Sequence, residues 1–393
     1  GAMRGFGSPQ IAFAREGLIN VLAGKLQIDP VQLRLQNLED DPGVRETLER
    51  AAELSGWKER KKLPPPPKSH LRRGWGVSTT FQGYSLGGKP GNVASAGLEV
   101  NTDGTATLYT SAVNMGQGSH TTLAQMAAEA LGLDFTTIRV VGPDTFMTKT
   151  AGPAVASRST FMSGRAIMDA AEPIRRSLLE TAAEMTGIAI DMLHLEDSKL
   201  YAEGEQLSIP IHELAHEAES KNRRLQAEGF FSIKWKSDLV TGATMIAQVL
   251  VDLDTGQVTV EKMTNVMDTG KIVNPRGASG QAEGGAVMGL GYALYEELLV
   301  DKGTTLNPSL SGYLIPTVAD LPDMEQQLIE VPEPKGPYGA KGIGELPTTV
   351  TAAAIANAVS DAIGVPVRQI PITAERVWKM LEEKDQQTIE SDH

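Results

Sequence analysis

The sequence contains the same three-part pattern twice, and this repeat limits the possible folds more than any other feature. Each copy has two short stretches of alternating apolar and polar residues joined by a turn, then a glycine-flanked glutamine, then an apolar helix. The first hairpin covers residues 96–110 and turns at Asp103-Gly104; the second covers 246–263 and turns at Thr255-Gly256. Period-2 alternation across such turns predicts β-hairpins. The repeat therefore predicts an α+β fold with two α+β lobes built from hairpins and packed helices.

A short helical segment precedes the first hairpin. It contains an apolar stripe at Ile11, Leu18 and Leu22, and Asp29-Pro30 supplies an N-cap with proline at N1. The run Pro64 to Pro67 excludes a helix or central strand, because proline has no N–H and a fixed φ. The predicted boundaries are a helical segment at 1–62, a linker at 63–73, lobes at 74–222 and 223–379, and an acidic tail at 380–393.

Three local predictions concern the ends and interruptions of elements. Pro173 is expected to kink or interrupt the helix that follows Thr160, because a proline removes one helical hydrogen bond. Residues 367–372 are predicted to form a short strand, and the acidic residues from Glu382 are expected to fray.

Composition limits the classes of function. The 393-residue chain is 41% hydrophobic, carries 36 basic and 49 acidic residues for a net charge of −13, and has no cysteine. Such acidity disfavours nucleic-acid binding, since attraction to phosphate needs clustered Lys and Arg. The lack of cysteine excludes disulfides, thiolate catalysis and an iron–sulfur cluster ligated by this chain. No apolar run approaches the ~20 residues of a membrane span, and a cytoplasmic location is expected.

The segment from His212 to His216 matches the H-E-x-x-H pattern of zinc peptidases. In those enzymes the two histidines bind zinc and the glutamate activates water. However, Glu219 and Asn222 stand where a metzincin would have Gly and His, and the flanking residues have the composition of a solvated helix. A zinc hydrolase using His212 and His216 is therefore the alternative from a different class, and no metal ligand is predicted.

Glycine-rich loops form a second candidate binding site. Four of them, around Gln117, at 154–160, around Gln281 and at 339–345, are expected to end at helix N-termini. These termini present unpaired N–H groups and partial positive charge, so converging loops would bind a phosphate or polyanionic cofactor. Glu345 follows Gly344 and is the candidate acid–base residue. Its local alternative is a carboxylate that stabilises the dipole of the following helix.

Five motifs occur in a distinctive order. They are Arg4-Gly5-Phe6-Gly7-Ser8-Pro9-Gln10, Met115-Gly116-Gln117-Gly118-Ser119-His120, Ala156-Ser157-Arg158-Ser159-Thr160, Gly280-Gln281-Ala282-Glu283-Gly284 and Lys341-Gly342-Ile343-Gly344-Glu345-Leu346-Pro347. Together they resemble the molybdopterin-binding subunit of the xanthine dehydrogenase and aldehyde oxidase family of molybdenum hydroxylases. The resemblance runs from residue 1 to about Val377 and covers only the C-terminal half of that subunit, which implies a split subunit or a fragment.

The resemblance implies a role for each matching residue. Glu345 matches the general base, and Gln117 matches the glutamine beside the molybdenum. The backbone at Arg4 would approach the metal, and Phe6 would stack on the substrate ring. The implied cofactor-binding residues are Arg4, Gly116, Gln117, Gly118, Ala156, Ser157, Ser159, Thr160, Gln281 and Gly344. Three departures from the family pattern are Leu346-Pro347 in place of two prolines, Met288 where glutamine is common, and Tyr84 or Ser85 near the position of a second aromatic.

The implied activity is hydroxylation of an N-heteroaromatic substrate with water as the oxygen source. An aldehyde or carbon monoxide dehydrogenase-type member of the family and a non-catalytic paralogue are the alternatives. The implied cofactor is molybdenum-molybdopterin, either alone or as the cytosine dinucleotide. The 2Fe-2S and FAD groups would lie on partner subunits, and another polypeptide would supply the N-terminal half of the molybdenum subunit.

Overall fold

The structure, a computed structural model, describes residues 3–38, 42–86, 88, 91–233 and 239–391. Its helices are α1 (Ser8–Leu26), α2 (Pro30–Asn37), α3 (Pro42–Leu54), α4 (Ser119–Leu131), α5 (Ser159–Thr186), α6 (Ile211–Ser220), α7 (Pro275–Leu294), α8 (Leu346–Ile363) and α9 (Ala374–Ser391). Its strands are β1 (Leu71–Gly83), β2 (Val93–Val100), β3 (Ala106–Tyr109), β4 (Ile138–Val141), β5 (Leu193–Glu196), β6 (Lys199–Ala202), β7 (Glu205–Pro210), β8 (Gln226–Ser232), β9 (Val240–Asp252), β10 (Val258–Asp268), β11 (Val300–Asp301), β12 (Thr304–Thr305) and β13 (Asp323–Ile329). Within these ranges, every helix is too short or too polar to cross a membrane.

Two four-stranded sheets organise the chain. The first has the strand order β4-β3-β2-β8, and the second has the order β1-β9-β10-β13. Each contains one predicted hairpin, because β2 pairs antiparallel with β3 and β9 pairs antiparallel with β10. A three-stranded sheet, β5-β6-β7, and the short hairpin β11-β12 lie outside them. The predicted α+β class and both hairpins are confirmed.

Helix α8 is the central helix of the second sheet and is buried along almost its whole length. It lies across β1 and β9, and α7 packs against it. A Cβ at Gly76 would lie 2.1 Å from the carbonyl oxygen of Ala354, so glycine lets β1 approach this helix closely. Helix α3 packs on β9 and β10 through Leu48 and Ala51, in a separate apolar cluster on the sheet's other face.

Helix α5 occupies the same position on the first sheet. It packs on β2 and β8, and α4 and α6 lie against it. Pro173 lies inside α5, which nevertheless continues from Ser159 to Thr186. An interruption at Pro173 is therefore wrong, and a kink there stays a prediction. Burial of Ile167, Ile174 and Leu178 stabilises the helix on both sides of the proline and offsets one missing hydrogen bond.

Strand β1 belongs to a different sheet from the one its sequence position suggests. It begins within the predicted linker and pairs antiparallel with β9 along its length, from Leu71 opposite Asp252 to Gly83 opposite Val240. Conversely, β8 follows the predicted boundary at 223 but pairs with β2 in the first sheet. Thus β1, from the first half of the chain, belongs to the second sheet, and β8, from the second half, belongs to the first sheet. Local sequence patterns do not predict such pairings, because the paired strands are far apart in the chain.

Three further local predictions differ from the structure. Residues 367–372 form no strand, and the N–H of Ile372 bonds instead to the carbonyl of Ala293. Helix α9 continues to Ser391, where a frayed tail is predicted. Gln281 lies inside α7, whose N-cap Asn274 accepts a hydrogen bond from the N–H of Gly277. The glycine-rich segment around Gln281 is thus helical, although glycine disfavours helix.

Helix α1 turns its apolar stripe outward. Ile11, Leu18 and Leu22 are 68%, 70% and 48% exposed. The inward face of α1 packs on α8 and carries Glu16, which is buried and accepts a hydrogen bond from Arg34 Nε at 2.9 Å. An exposed apolar helix face of this length is typical of a contact surface.

Candidate active site

Glu345 is the last residue of the loop at 339–345, directly precedes α8 and is 9% exposed. Its Oε1 accepts a hydrogen bond from the N–H of Gly5 (3.2 Å), and its Oε2 accepts from Gln82 Nε2 (2.9 Å) and Ser157 Oγ (3.1 Å). The N–H of Glu345 donates to Ser157 Oγ (3.1 Å). Its side chain makes no capping hydrogen bond to α8. The carboxylate is therefore held by distant segments and does not cap the helix that it precedes.

A tight turn at residues 3–7 brings Gly5 to Glu345. The N–H of Phe6 bonds to the carbonyl of Met3 at 2.7 Å. Phe6 has a φ of 49°, in the left-handed region, which costs a non-glycine residue roughly 1–3 kcal/mol. Its ring is 71% exposed. The turn thus leaves an aromatic side chain free to contact another molecule, and its substrate role stays a prediction.

Arg4 joins α7 to the loop that carries Glu345. Its Nη2 donates to the side-chain Oε1 (3.0 Å) and the main-chain oxygen (3.2 Å) of Gln281, and its Nε donates to the carbonyl of Gly344. Burial lowers the pKa of Arg4, while the negative charge of Glu345 acts in the opposite direction. Sequence reasoning expected only a backbone approach here. The structure shows that the side chain connects two predicted cofactor-binding residues.

The segment before α5 makes a left-handed bend. Ala156 and Ser157 have φ values of 51° and 49°, and Ser159 and Thr160 begin the helix. Arg158, which is 1% exposed, holds the bend. It donates hydrogen bonds to Asn92 Oδ1 (2.9 Å) and to the carbonyl oxygens of Val93 (2.6 Å), Ala151 (2.7 Å) and Pro153 (3.1 Å). Burial lowers the pKa of Arg158.

Two contacts fix the loop at 339–345. A Cβ at Gly342 would lie 1.9 Å from the carbonyl oxygen of Ser157, so glycine allows the two backbones to touch. Lys341 Nζ pairs with Asp268 Oδ2 at 2.5 Å, and these side chains are 9% and 0% exposed. Because Asp268 ends β10, the ion pair ties the loop to the second sheet.

The loop around Gln117 is held by bonds of its own. Gln117 Oε1 accepts from the N–H of Met115 (2.6 Å), and Nε2 donates to the carbonyl of Val113 (2.8 Å). Gly116 and Gly118 have φ values of 106° and 77°, and Gly118 is the N-cap of α4. The predicted arrangement of loop and helix is present here.

Tyr84 and Ser85 do not provide a second aromatic at the site. Tyr84 is fully buried, and its hydroxyl donates to Glu333 Oε2 at 2.9 Å. Ser85 Oγ accepts from Asn92 Nδ2 at 2.9 Å. The aromatic ring at position 84 is thus part of the core.

Several glycines beside the predicted site residues leave room for an external group. A Cβ at Gly116, Gly118, Gly280 or Gly284 would meet no other part of the described chain within 4 Å. Inside a helix, as at Gly280 and Gly284, glycine costs about 1 kcal/mol relative to alanine, and the packing around them does not require it. These open positions, together with the helix N-termini at Gly118 and Ser159, fit a large anionic cofactor that approaches the backbone closely.

The H-E-x-x-H segment lies on the outer face of α6. His212, Glu213 and His216 are exposed, whereas the buried face of the helix carries Leu214 and Ala215. Across the described ranges, the three-residue group spaced to hold a metal consists of His70, Asp252 and Asp254 and includes neither of these histidines. The motif is thus an ordinary amphipathic pattern, and the structure does not favour the zinc hydrolase alternative.

Two contributors to the site were not identified from the sequence: Gln82 and Asp268, the partner of Lys341. Arg158 was included only as part of the segment from Ala156 to Thr160, without a role of its own. Arg158 had a detectable signal, since it is a lone arginine within a run of small residues. Gln82 had none, because its contact with Glu345 links residues 263 positions apart.

The chain matches two family models and several known proteins over most of its length. A model described as molybdopterin cofactor-binding domain matches residues 50–322, and a second with the same description matches residues 1–38. The chain is 34% identical over 403 residues to the xanthine dehydrogenase molybdenum-binding subunit of Escherichia coli O157:H7, an alignment covering 96% of this chain and 53% of the relative. It is 31% identical over 405 residues to the aldehyde oxidoreductase of Megalodesulfovibrio gigas, covering 97% and 41%.

Solved structures show the same architecture. The quinoline 2-oxidoreductase from Pseudomonas putida 86 superposes with a TM-score of 0.89 at 28% identity, covering 98% of this chain and 53% of that chain. The aldehyde oxidoreductase from Desulfovibrio desulfuricans ATCC 27774 gives 0.80 at 29% identity, covering 96% and 41%. Fold and site therefore define a cofactor-binding unit of the kind found in oxidoreductases. The chain belongs to the molybdopterin cofactor-binding domain family, and it spans about half the length of the relatives that it matches.

Proposed function

We propose that this chain is the C-terminal part of a molybdenum hydroxylase that hydroxylates an N-heteroaromatic substrate with oxygen from water. The observation that carries the proposal is the carboxylate of Glu345, which is largely buried yet lies among the predicted cofactor-binding loops. We assign it the role of general base, a role that glutamate fills in many enzymes. Such a base must be held in place, and hydrogen bonds from three segments hold this one.

The residues around Glu345 fit the binding of molybdenum-molybdopterin. The backbone at Arg4 would approach the metal, and Gln281, held by the Arg4 side chain, would contact the pterin. The segment from Ala156 to Thr160 would hold the phosphate, aided by the N-terminus of α5. When bound, the cofactor supplies the oxidation chemistry, while the protein supplies orientation and the base.

The substrate class is inferred from Phe6 and from two relatives. The exposed ring of Phe6 suits stacking against a flat aromatic molecule. A nicotine 6-hydroxylase large subunit of Paenarthrobacter nicotinovorans is 29% identical to the chain, and its name, like that of the quinoline 2-oxidoreductase, refers to an N-heteroaromatic compound. The similarity to aldehyde oxidoreductases keeps an aldehyde substrate as the second candidate.

Isotope labelling tests the reaction. The assembled enzyme, incubated with an N-heteroaromatic substrate in ¹⁸O-labelled water, is expected to place one labelled oxygen on the ring, as mass spectrometry would show. A matched incubation with an aromatic aldehyde of similar size serves as the comparison. Oxidation of the aldehyde without any hydroxylated ring product would replace the proposed substrate class by the alternative, and an unlabelled ring product would contradict hydroxylation by water.

Another polypeptide is proposed to complete the site. The relatives are about twice as long as the alignment, and α1 exposes Ile11, Leu18 and Leu22, a surface suited to burial by the remaining half of the subunit. The name of one relative, a dehydrogenase complex subunit gamma, indicates a multi-subunit enzyme. Iron–sulfur and flavin groups on partner subunits, and a cytoplasmic location, belong to the same proposal.

Assembly gives a direct test. The chain produced alone is expected to contain little molybdenum and to self-associate through its exposed apolar residues, because half of the cofactor site is elsewhere. Co-production with a polypeptide carrying the other half should restore molybdenum, measured by mass spectrometry of the metal, and a defined oligomeric state. An active, molybdenum-loaded monomer of this chain alone would show that no second half is needed.

A further inference from the structure

The two oxygens of the Glu345 carboxylate have different surroundings. Oε2 accepts two hydrogen bonds from side chains, at 2.9 Å from Gln82 and 3.1 Å from Ser157. Oε1 accepts the longer bond, 3.2 Å, from the N–H of Gly5. An oxygen that already accepts two good hydrogen bonds has little remaining capacity to take up a proton. The surroundings thus make the two oxygens chemically unequal.

We propose that Gln82 is a positioning residue that fixes Oε2 of Glu345 and leaves Oε1 as the atom that accepts the proton. This inference rests on the proposed role of Glu345 as general base. The amide of Gln82 supplies the shortest hydrogen bond to the carboxylate, and the oxygen facing away from it is the one with spare lone-pair capacity. Gln82 therefore sets the rotation of the carboxylate and determines which of its two oxygens is free to accept a proton.

The orientation of the Gln82 amide is itself determined. An ionised carboxylate oxygen only accepts hydrogen bonds, so the amide directs its Nε2 toward Glu345 and leaves its Oε1 at 3.0 Å from Thr349 Oγ1. The same hydroxyl lies 3.0 Å from the carbonyl of Glu345. Thr349 therefore keeps a hydrogen-bond acceptor when Gln82 is replaced, and such a substitution leaves no new unpaired group in α8.

The charged side chains near Glu345 direct their hydrogen bonds to other groups and do not position its carboxylate. Arg4, from the turn at 3–7, interacts electrostatically with the carboxylate but directs its donors to Gln281 and Gly344. Lys341, on the same loop as Glu345, is paired with Asp268. The remaining contacts, from β1, the start of α5 and α8, are made by uncharged Gln82, Ser157 and Thr349.

The test is the pH dependence of turnover in the assembled, molybdenum-loaded enzyme carrying Gln82→Met. Methionine has similar length but donates no hydrogen bond, so the charged form of Glu345 loses a partner while the protonated form loses little. The acidic limb of the profile should move to higher pH by about one unit, and turnover above the limb should also fall, because the carboxylate is no longer held in one rotation. The infrared band of the Glu345 carboxyl group can be identified by its loss in Glu345→Gln. In cofactor-free protein, this band should titrate at higher pH in Gln82→Met than in the parent.

Gln248→Met is the matched control. Gln248 lies on β9 of the same sheet, and its Nε2 donates to Glu261 Oε2 at 2.7 Å, so the substitution removes the same type of hydrogen bond elsewhere. It should leave the acidic limb in place. A second variant, Gln82→Glu, sets a carboxylate beside Glu345 and should move the limb further in the same direction than Gln82→Met does.

Each outcome has a definite meaning. An acidic limb that moves in both Gln82 variants but not in the control supports the positioning role. An unmoved limb, with or without a loss of turnover that is equal at every pH, would overturn it, since a merely structural residue behaves in that way. If Glu345→Gln itself retains turnover per molybdenum, the proposed base is wrong instead, and the two failures are thereby distinguished.

Discussion

The Glu345→Gln variant is expected to turn over roughly 10²–10⁴-fold more slowly per bound molybdenum than the parent enzyme. Glutamine keeps the size of the side chain but does not accept a proton at neutral pH. The remaining carboxylate in the predicted loops, Glu283, is exposed and bonded to Ser279 and Gln326, so it does not substitute for Glu345. Molybdenum content should stay near that of the parent, because the predicted cofactor contacts are made by other residues. The measurement is turnover divided by bound molybdenum.

A matched control is Glu99→Gln. Glu99 is a half-buried glutamate on β2 that accepts a hydrogen bond from Tyr109 at 2.8 Å, and its substitution should leave turnover per molybdenum unchanged. If Glu345 served only the dipole of α8, its substitution would cost about 0.3–1 kcal/mol of stability and little activity. A loss of turnover below about threefold would therefore remove Glu345 from the mechanism.

Arg158→Ala is expected to destabilise the folded chain by about 3–5 kcal/mol. The arginine is almost fully buried, and its removal leaves Asn92 and the carbonyls of Val93, Ala151 and Pro153 without this donor. The bend at Ala156 and Ser157 should then lose its support, so molybdenum content is expected to fall as well. Urea unfolding of the assembled protein and metal analysis measure the two effects.

Arg176→Ala is the matched control for this variant. Arg176 lies on the exposed face of α5, so the same substitution should change the free energy of unfolding by no more than about 0.5 kcal/mol. An Arg158→Ala protein that unfolds within about 1 kcal/mol of the parent and retains its molybdenum would show that the bend is stable without the buried guanidinium.

Local sequence patterns were sufficient to predict the fold class and both hairpins. Both hairpins were predictable because alternation and Asp-Gly or Thr-Gly turns act over about ten residues, as the pairing of β2 with β3 and β9 with β10 confirms. Glu345 was predictable as a candidate because it stands in a distinctive motif. The helix around Gln281 was missed because its glycines argue against helix, and packing against α8 overrides that preference.

Long-range contacts could not be predicted in this way. Nothing in residues 71–83 indicates that they pair with 240–252 rather than with the nearer hairpin. The same limit explains why Gln82 was missed, since its partner Glu345 becomes its neighbour only when α8 lies against β1. The outward face of α1 is a similar case, because its stripe has the spacing of a core helix although Ile11, Leu18 and Leu22 are exposed.

The hydrogen bond between Gly5 and Glu345 also limits when the site can form during protein synthesis. The two residues are 340 positions apart, so at roughly 5–20 residues per second a ribosome makes the second about 17–68 s after the first. During that interval the N–H of Gly5 lacks the Glu345 carboxylate as its acceptor. Strand β1 likewise has unpaired backbone groups until β9 has been synthesised. The site is therefore assembled after translation of its last loop, and a cofactor held by both ends of this stretch is bound only once Glu345 has been synthesised.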